Sequence, residues 1–321
     1  MRNDFGVDQA DGLRRLLESN QTRVVALAAG KSGVGCTSVS INLAAALARS
    51  GKDVLVLDEN DAPNNVPDRL GLRARHDLLD VVQGKCKLDQ AVLSTGGFSV
   101  LSTARAMHAL SGFDPGEQQR LESALTEVGG GVDVMLVDAA MPAGPAAARM
   151  SGHLIFPGPR NDPCTVSLIS ARGTALLVVA DATASGITES YALIKRLALE
   201  NARLQFEIVV NKAADEQAAR IAFENMARLA RRNLAARLEY LGCIPRDERL
   251  KRAAQLGKSV VEAFPAAVST QSYMGLARRL SLLPMRQDGA TGGVRTVMRD
   301  LMRQASQPLQ RFSREIEQVV N

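Results

Sequence analysis

The chain contains the glycine-rich sequence Gly30-Lys31-Ser32-Gly33-Val34-Gly35-Cys36-Thr37-Ser38. An apolar run over 23–29 precedes it and predicts a buried parallel strand, and apolar residues at helical spacing follow it over 36–49. A glycine-rich loop in this position binds phosphate, because glycines let backbone N–H groups converge on an anion and the helix N-terminus adds partial positive charge. We therefore expect all the residues of this loop to line a phosphate-binding site.

The loop departs from the usual phosphate-binding pattern at one position. Its spacing fits G-x-x-x-x-G-K-[ST], but Cys36 stands where the lysine belongs. That lysine normally holds the β- and γ-phosphates, and losing one charge-assisted hydrogen bond predicts an affinity lower by roughly ten- to over a hundred-fold. A cysteine at a helix N-terminus can ionise and repel phosphate, but the favoured interpretation of Cys36 is a small buried thiol.

Apolar strand candidates alternate with helical patterns along most of the chain. The strand candidates are 23–29, 53–58, 98–102, 132–138, 175–180, 206–211 and 238–244, and the helical patterns are 36–49, 117–128, 187–200 and 216–236. This alternation predicts an α/β fold with a doubly wound, mainly parallel sheet and helices on both faces. Ligands of such sheets bind at the carboxyl ends of the strands.

Two acidic residues, Asp58 and Asp138, each end a predicted strand at the edge where the loop lies. A carboxylate there can hold Mg²⁺ or a water bound to it, and Thr37 stands where a hydroxyl ligand is expected. Either aspartate alone would be interpreted as a turn or helix-cap residue. Because both lie behind a glycine loop of the right spacing, we expect Thr37, Asp58 and Asp138 to form a metal site.

Composition narrows the classes of protein that remain. The 321 residues are 46% hydrophobic, which is enough for the core of one large domain. The sequence contains no apolar run of about eighteen residues, so no membrane-spanning helix is predicted. Without an apolar leader after Met1, and with four cysteines lacking metal-ligand spacing, a cytoplasmic protein with free thiols is expected. A net charge of +5 is compatible with acidic partners, but 3% aromatics and no tryptophan argue against base stacking on nucleic acid.

The chain divides into three parts. Residues 1–22 form an N-terminal arm, 23–285 form the phosphate-binding domain, and 286–321 form a C-terminal tail. Within the domain, 139–174 is rich in Ala, Gly and Pro and is predicted to be an irregular insertion.

The loop resembles the K-G-G-x-G-K-T sequence of the MinD/ParA-class P-loop ATPases. Lys31, at the second position of the loop, is the residue that makes this resemblance specific. The strand that ends in Asp58-Glu59-Asn60 resembles their D-x-D strand, and the strand that ends in Asp138 resembles their Walker B strand. Within that class, two stretches are similar to the FlhG/FleN regulators of flagellar number: Asp8-Gln9-Ala10-Asp11-Gly12-Leu13-Arg14, and 238–247 with 260–265. The resemblance covers about 8–285, interrupted at 139–174.

The resemblance implies ATP or ADP with Mg²⁺ as cofactor and an ATP-bound homodimer in which Lys31 reaches the nucleotide across the interface. It places Thr37 on the metal, and Asn211 and Pro245 in the nucleotide site. It also implies a regulator of flagellar placement or number that meets flagellar assembly components. In that family the arm stimulates an FlhF-type GTPase, so the partner-binding residues carried over are Asp8, Gln9, Ala10, Leu13 and Arg14. The alternative is a packed or frayed arm.

Three departures cluster around the γ-phosphate: Cys36, Asn60 at the second carboxylate position of D-x-D, and Ala139-Ala140-Met141 after Asp138. They predict weak or lost hydrolysis, with binding that persists through the backbone, Thr37 and Lys31. One alternative is an active ATPase that positions proteins at the membrane, with Lys31 supplying the missing charge. Another is a ParA-like DNA-partition ATPase, suggested by the basic charge.

The tail carries an apolar stripe that includes Val297, Met298, Leu301 and Met302, with arginines beside it. A basic amphipathic helix fits an anionic membrane surface, which would place the protein peripherally at the inner face of the cell membrane. The competing interpretation is that the stripe docks on the protein's own surface or on a partner helix.

Overall fold

The computed structural model describes residues 22–63, 65–140, 174–200, 205–234, 236–283 and 294–305. The strands in these ranges are β1 Arg23–Ala29, β2 Val54–Asp58, β3 Leu93–Ser94, β4 Ser99–Ser102, β5 Val134–Asp138, β6 Ala175–Asp181, β7 Gln205–Ala213 and β8 Arg237–Pro245. The helices are α1 Cys36–Arg49, α2 Val66–Arg69, α3 Leu78–Val82, α4 Leu88–Ala91, α5 Ala104–Ala109, α6 Pro115–Gly130, α7 Ala184–Glu200, α8 Glu216–Asn233, α9 Glu248–Gln255, α10 Val260–Ala263, α11 Val268–Leu282 and α12 Val294–Ala305.

The strands form one sheet in the order β3-β4-β2-β5-β1-β6-β7-β8. Every pair is parallel except β3 with β4, which is antiparallel. The predicted doubly wound, mainly parallel fold is therefore confirmed, and each of the predicted strands is present. The short edge strand β3 was missed, because two residues carry no readable periodicity.

Both faces of the sheet are covered, which explains why the central strands are apolar almost throughout. Along β1, Val24, Ala26 and Ala28 face one hydrophobic cluster, built with α6, α7 and α8. The intervening residues Val25 and Leu27 face a second cluster, built with α1, α10 and α11. Because the central strands are parallel, their carboxyl ends lie together at one edge of the sheet, and the candidate site is at that edge.

Helix starts follow the capping residues. Helix α6 begins at Pro115 behind Asp114, whose carboxylate accepts from Glu117 N while the Glu117 side chain reaches back. Asp215 caps α8 in the same way, accepting from Ala218 N at 2.7 Å.

The tail helix α12 packs on the protein's own core, as in the second interpretation of its apolar stripe, and membrane contact stays a prediction. Val297, Met298 and Leu301 are buried, and Met302 packs against the same cluster as α6. At Gly129 in α6 a Cβ would lie 2.4 Å from the Val294 side chain, so the two helices meet closely. An amphipathic stripe fits a membrane or an apolar protein face equally well, and here it covers the protein's own core.

Among the described residues, no helix is both long enough and apolar enough to cross a bilayer. The predicted arm, with Asp8, Gln9, Ala10, Leu13 and Arg14, lies outside the described residues, as does nearly all of the predicted insertion at 139–174.

Candidate nucleotide-binding site

The glycine loop joins the carboxyl end of β1 to the start of α1. Gly33 and Gly35 adopt φ values of 78° and 102°, a region that side-chain-bearing residues rarely enter. Gly30 is needed for a different reason, because a Cβ there would lie 2.2 Å from the backbone of Glu189 in α7. The predicted cradle is therefore present, and its shape depends on three glycines.

Two residues of strand β7 donate hydrogen bonds to the loop. The Asn211 Nδ2 atom donates to the Val34 carbonyl at 2.8 Å, and the Lys212 ammonium donates to the Gly33 carbonyl at 2.5 Å. A Cβ on Gly35 would lie 2.8 Å from Asn211 Nδ2. With their carbonyls occupied by these donors, Gly33 and Val34 are fixed in position without any bound ligand.

Cys36 is the first residue of α1 and is 8% exposed. Burial, followed by the proximity of the Asp138 carboxylate, raises the pKa of the Cys36 thiol well above its usual value. The thiol is therefore neutral at physiological pH and hydrogen-bonds Asp138, in agreement with the interpretation of a small buried thiol. It brings no positive charge to the loop.

Asp58 and Asp138 lie side by side at the ends of β2 and β5, paired in register and fully buried. Asn60 lies between them. Its Nδ2 atom donates to Asp58 Oδ1 at 3.1 Å and to Asp138 Oδ2 at 3.0 Å. The predicted metal carboxylates are therefore brought together, but the Asn60 amide bridges them.

Both carboxylates also accept hydrogen bonds from other residues. Asp58 accepts from Val66 N at 2.5 Å, and Asp138 accepts from Ser40 Oγ at 2.9 Å and from the Thr37 hydroxyl. Burial raises the pKa of Asp58 to about 7, with repulsion from Asp138 adding to it. Burial likewise raises the pKa of Asp138 to about 6, against its hydrogen bonds from Thr37 and Ser40.

Lys31 turns toward β6 and the start of α7. Its ammonium lies 3.2 Å from Asp181 Oδ2 and donates to Ser185 Oγ at 2.8 Å. Asp181 also accepts from Thr183 N at 3.0 Å and fits against Gly186, where a Cβ would lie 1.9 Å from its Oδ1. Partial burial acts to raise the pKa of Asp181, but the bonds from Thr183 and Lys31 outweigh it and lower the pKa.

These contacts decide how well a nucleotide and its metal fit. The glycine loop, with its Gly33 and Val34 carbonyls bound by Lys212 and Asn211, fits a phosphate chain. Thr37, Asp58 and Asp138 offer the oxygen ligands that Mg²⁺ prefers. However, the Asn60 amide donates to both carboxylates, so a metal ion that bound between them would have to displace these hydrogen bonds. Phosphate binding fits better than metal binding.

Most of the sequence-predicted site residues meet at this edge of the sheet. Ser32 is exposed, the Ser38 hydroxyl contacts Tyr273, and Pro245 ends β8. Sequence reasoning missed Asp181 and Lys212. The first could have been found, because it ends a predicted strand at the binding edge, one residue past the predicted boundary; the second follows Asn211 directly, but nothing in its residue type marks it.

The family model described as the CobQ/CobB/MinD/ParA nucleotide-binding domain matches residues 25–260. This chain therefore belongs to that family, and the resemblance to MinD/ParA proteins is confirmed.

Individual relatives agree with this assignment. The chain is 31% identical over 274 residues to the antiactivator FleN of Pseudomonas aeruginosa, covering 85% of this chain and 91% of FleN. It is 24% identical over 271 residues to the flagellum site-determining protein YlxH of Helicobacter pylori, covering 80% of this chain and 81% of YlxH. The septum site-determining protein MinD of Pyrococcus horikoshii, solved as a complex with Mg-ADP, superimposes with a TM-score of 0.57 at 20% identity, covering 81% of this chain and 96% of MinD.

Proposed function

We propose that this protein is a nucleotide-binding regulator of the FlhG/FleN type, which acts on flagellar placement or number through its partners and has weak or no ATP hydrolysis. The similarity to FleN and YlxH supports the flagellar role. The observation that carries the loss of hydrolysis is the Asn60 amide, which lies 3.1 Å from Asp58 and 3.0 Å from Asp138.

Phosphoryl transfer depends on positioned charge, because the protein has little covalent chemistry to perform. A lysine in the loop and metal-held carboxylates normally supply that charge at the γ-phosphate. Here the loop lysine is Cys36, neutral and buried, and the carboxylates are satisfied by their own chain. The transition state therefore loses more electrostatic stabilisation than the bound nucleotide does. The bound nucleotide can still be held by the backbone N–H groups of the loop.

The alternative of an active ATPase requires Lys31 to take over the missing charge. Its ammonium is paired with Asp181 and bonded to Ser185 within the same chain. To act on a nucleotide, in its own chain or across a homodimer, Lys31 must give up both contacts. This favours the binding-only regulator over the active enzyme.

We also propose that the arm binds an FlhF-type GTPase through Asp8, Gln9, Ala10, Leu13 and Arg14, and that nucleotide binding promotes a homodimer. Residues 1–20 as a peptide are expected to stimulate the GTPase of the cognate partner, and the same peptide with Gln9→Ala is not. Equal stimulation by both peptides, or by neither, contradicts this assignment.

The central experiment combines calorimetry with Mg-ATP and Mg-ADP and a turnover assay on the full chain. The native protein is expected to bind both nucleotides with turnover at background. Cys36→Lys is expected to raise affinity roughly ten-fold or more, whereas Cys36→Ser, which adds no charge, is not. Adding Asn60→Asp to Cys36→Lys is expected to restore measurable turnover.

The outcomes separate the hypotheses. Turnover in the native protein at the rates of ordinary family members overturns the loss of hydrolysis. No nucleotide binding by either the native protein or Cys36→Lys overturns the nucleotide site altogether. Salt-sensitive binding to nonspecific DNA would instead favour the ParA-like partition factor.

A further inference from the structure

We propose that Lys212 supplies, within the same chain, the phosphate-binding charge that Cys36 lacks. This inference rests on the proposed nucleotide binding at the loop. It assigns a contact to a residue that neither the glycine-loop motif nor the strand-end carboxylates identify. Lys212 lies at the end of β7, with its ammonium 2.5 Å from the Gly33 carbonyl.

Two lysines lie at the loop, and their electrostatic situations differ. The Lys31 ammonium is 3.2 Å from the Asp181 carboxylate, so that pair presents no net charge to an anion. Lys212 is exposed, and among the described residues no carboxylate forms an ion pair with it. The ammonium free to compensate a phosphate is therefore that of Lys212.

The backbone of Lys212 adopts φ 56°, which is uncommon for a residue with a long side chain. Two hydrogen bonds hold it there: its N–H donates to Asn211 Oδ1 at 2.9 Å, and its carbonyl accepts from Arg246 Nε at 3.1 Å. Strained residues persist where their surroundings over-determine them, and they concentrate at ligand sites. In this conformation the side chain extends to the loop, where its ammonium reaches the Gly33 carbonyl.

The bond to Gly33 leaves Lys212 ready to exchange partners. An ammonium carries three donors, and the carbonyl it now meets is neutral. A phosphate oxygen carries negative charge and forms a shorter, stronger hydrogen bond with an ammonium. The flexible four-carbon stem lets the ammonium move from the carbonyl to a phosphate at the same loop, while Asn211 continues to hold Val34.

Calorimetric titration of the full chain with Mg-ADP tests this role. Lys212→Asn is expected to weaken binding roughly ten- to a hundred-fold, because asparagine tolerates the left-handed backbone but carries no charge. Lys212→Arg keeps the charge and is expected to retain most of the affinity. Lys52→Asn removes the same charge before β2, at the opposite end of the sheet, and is expected to change nothing.

Two further measurements separate charge from structure. Lys212→Gly, which adopts positive φ without strain, is expected to bind as weakly as Lys212→Asn while unfolding at the native temperature. Affinity is also expected to fall less steeply with salt in both variants than in the native protein.

The proposal is overturned if Lys212→Asn and Lys212→Gly bind Mg-ADP like the native protein, or if Lys31→Met loses more affinity than either. Both results leave the proposed nucleotide site standing. If the native protein itself binds no nucleotide, the proposed function and this inference fail together, and that result is distinct from the first two.

Discussion

Asn60 donates its side-chain amide to Asp138 at two points, to the carboxylate oxygen Oδ2 at 3.0 Å and to the backbone carbonyl at 3.1 Å. The same amide reaches Asp58, so one neutral residue holds two buried carboxylates together. A carboxylate at position 60 would have no donor to offer either of them. Asn60 is thus suited to a site that keeps its acidic residues without a metal between them.

Asn60→Asp is therefore expected to destabilise the protein in the absence of metal. The change removes hydrogen bonds to charged groups, each of which contributes about 1.5–3 kcal/mol, and adds a third acid to a buried pair. Chemical denaturation near neutral pH measures the loss. Added Mg²⁺ is expected to recover part of the lost stability in the variant but to have no such effect on the native protein. Asn65→Asp, at the half-buried cap of α2, keeps the bond from Asp68 N and is expected to be neutral.

The stability of the native protein is expected to fall as pH rises from about 5 to about 8. Burial raises the pKa of Asp58 to about 7, above an unfolded value of about 3.9. The folded state then binds more protons than the unfolded chain in this window, so the free energy of unfolding decreases with rising pH.

Urea unfolding across that range measures the slope of stability with pH. Asp138→Asn, which removes one acid of the pair, is expected to flatten it. Stability that instead increases steadily from about pH 5 to about pH 8 would mean that the pair is ionised and stabilised by its donors.

Asp181→Asn is expected to raise the affinity for Mg-ADP by up to about five-fold, because a partly exposed ion pair contributes about 0.2–1 kcal/mol. The amide can still accept from Thr183 N, so the turn at the start of α7 is kept. Asp133→Asn, which breaks the pair with Lys52, serves as the matched control. Unchanged affinity in Asp181→Asn would show that Lys31 does not face the phosphates even when released.

Leu301→Ala is expected to cost about 2–5 kcal/mol in unfolding free energy, the usual range for a leucine deleted from a core. Leu301 is fully buried in α12, whereas Arg299 on the same helix is exposed, so Arg299→Ala is expected to change stability by less than about 0.5 kcal/mol.

The same helix can be tested against membranes with anionic vesicles. The full chain is expected to remain in the supernatant after sedimentation. Cosedimentation of the native protein, together with a negligible effect of Leu301→Ala on stability, would show that α12 leaves the core for the membrane.

Periodicity was enough to predict the sheet, because a strand covered on both faces reads as a continuous apolar run and α/β alternation leaves few topologies. The glycine loop and its strand-end carboxylates were also predictable, since their spacing reflects the backbone geometry of a phosphate cradle. That Asn60 bridges Asp58 and Asp138 could not be read from the sequence, which identified Asn60 only as a changed position.

The other features that could not be predicted have a common physical cause. Each depends on which of several equally suitable partners a residue or a helix face contacts in the folded chain. Lys31 can pair with a phosphate or with Asp181, and its residue type favours neither. The positive φ of Lys212 accompanies hydrogen bonds with its neighbour Asn211 and with Arg246, which follows β8 and is distant in the sequence. The stripe on α12 suits any apolar surface, so only the three-dimensional packing shows which surface it covers.

The backbone of α7 at Glu189 lies directly against Gly30, with no side chain between them. A Cβ at position 30 would lie 2.2 Å from that backbone. A residue with a side chain at position 30 would therefore have to separate the loop from Glu189. The far end of that helix carries Leu199, which is 68% exposed. Gly30 thus sets the distance between the glycine loop and a helix that runs to the exposed surface at Leu199.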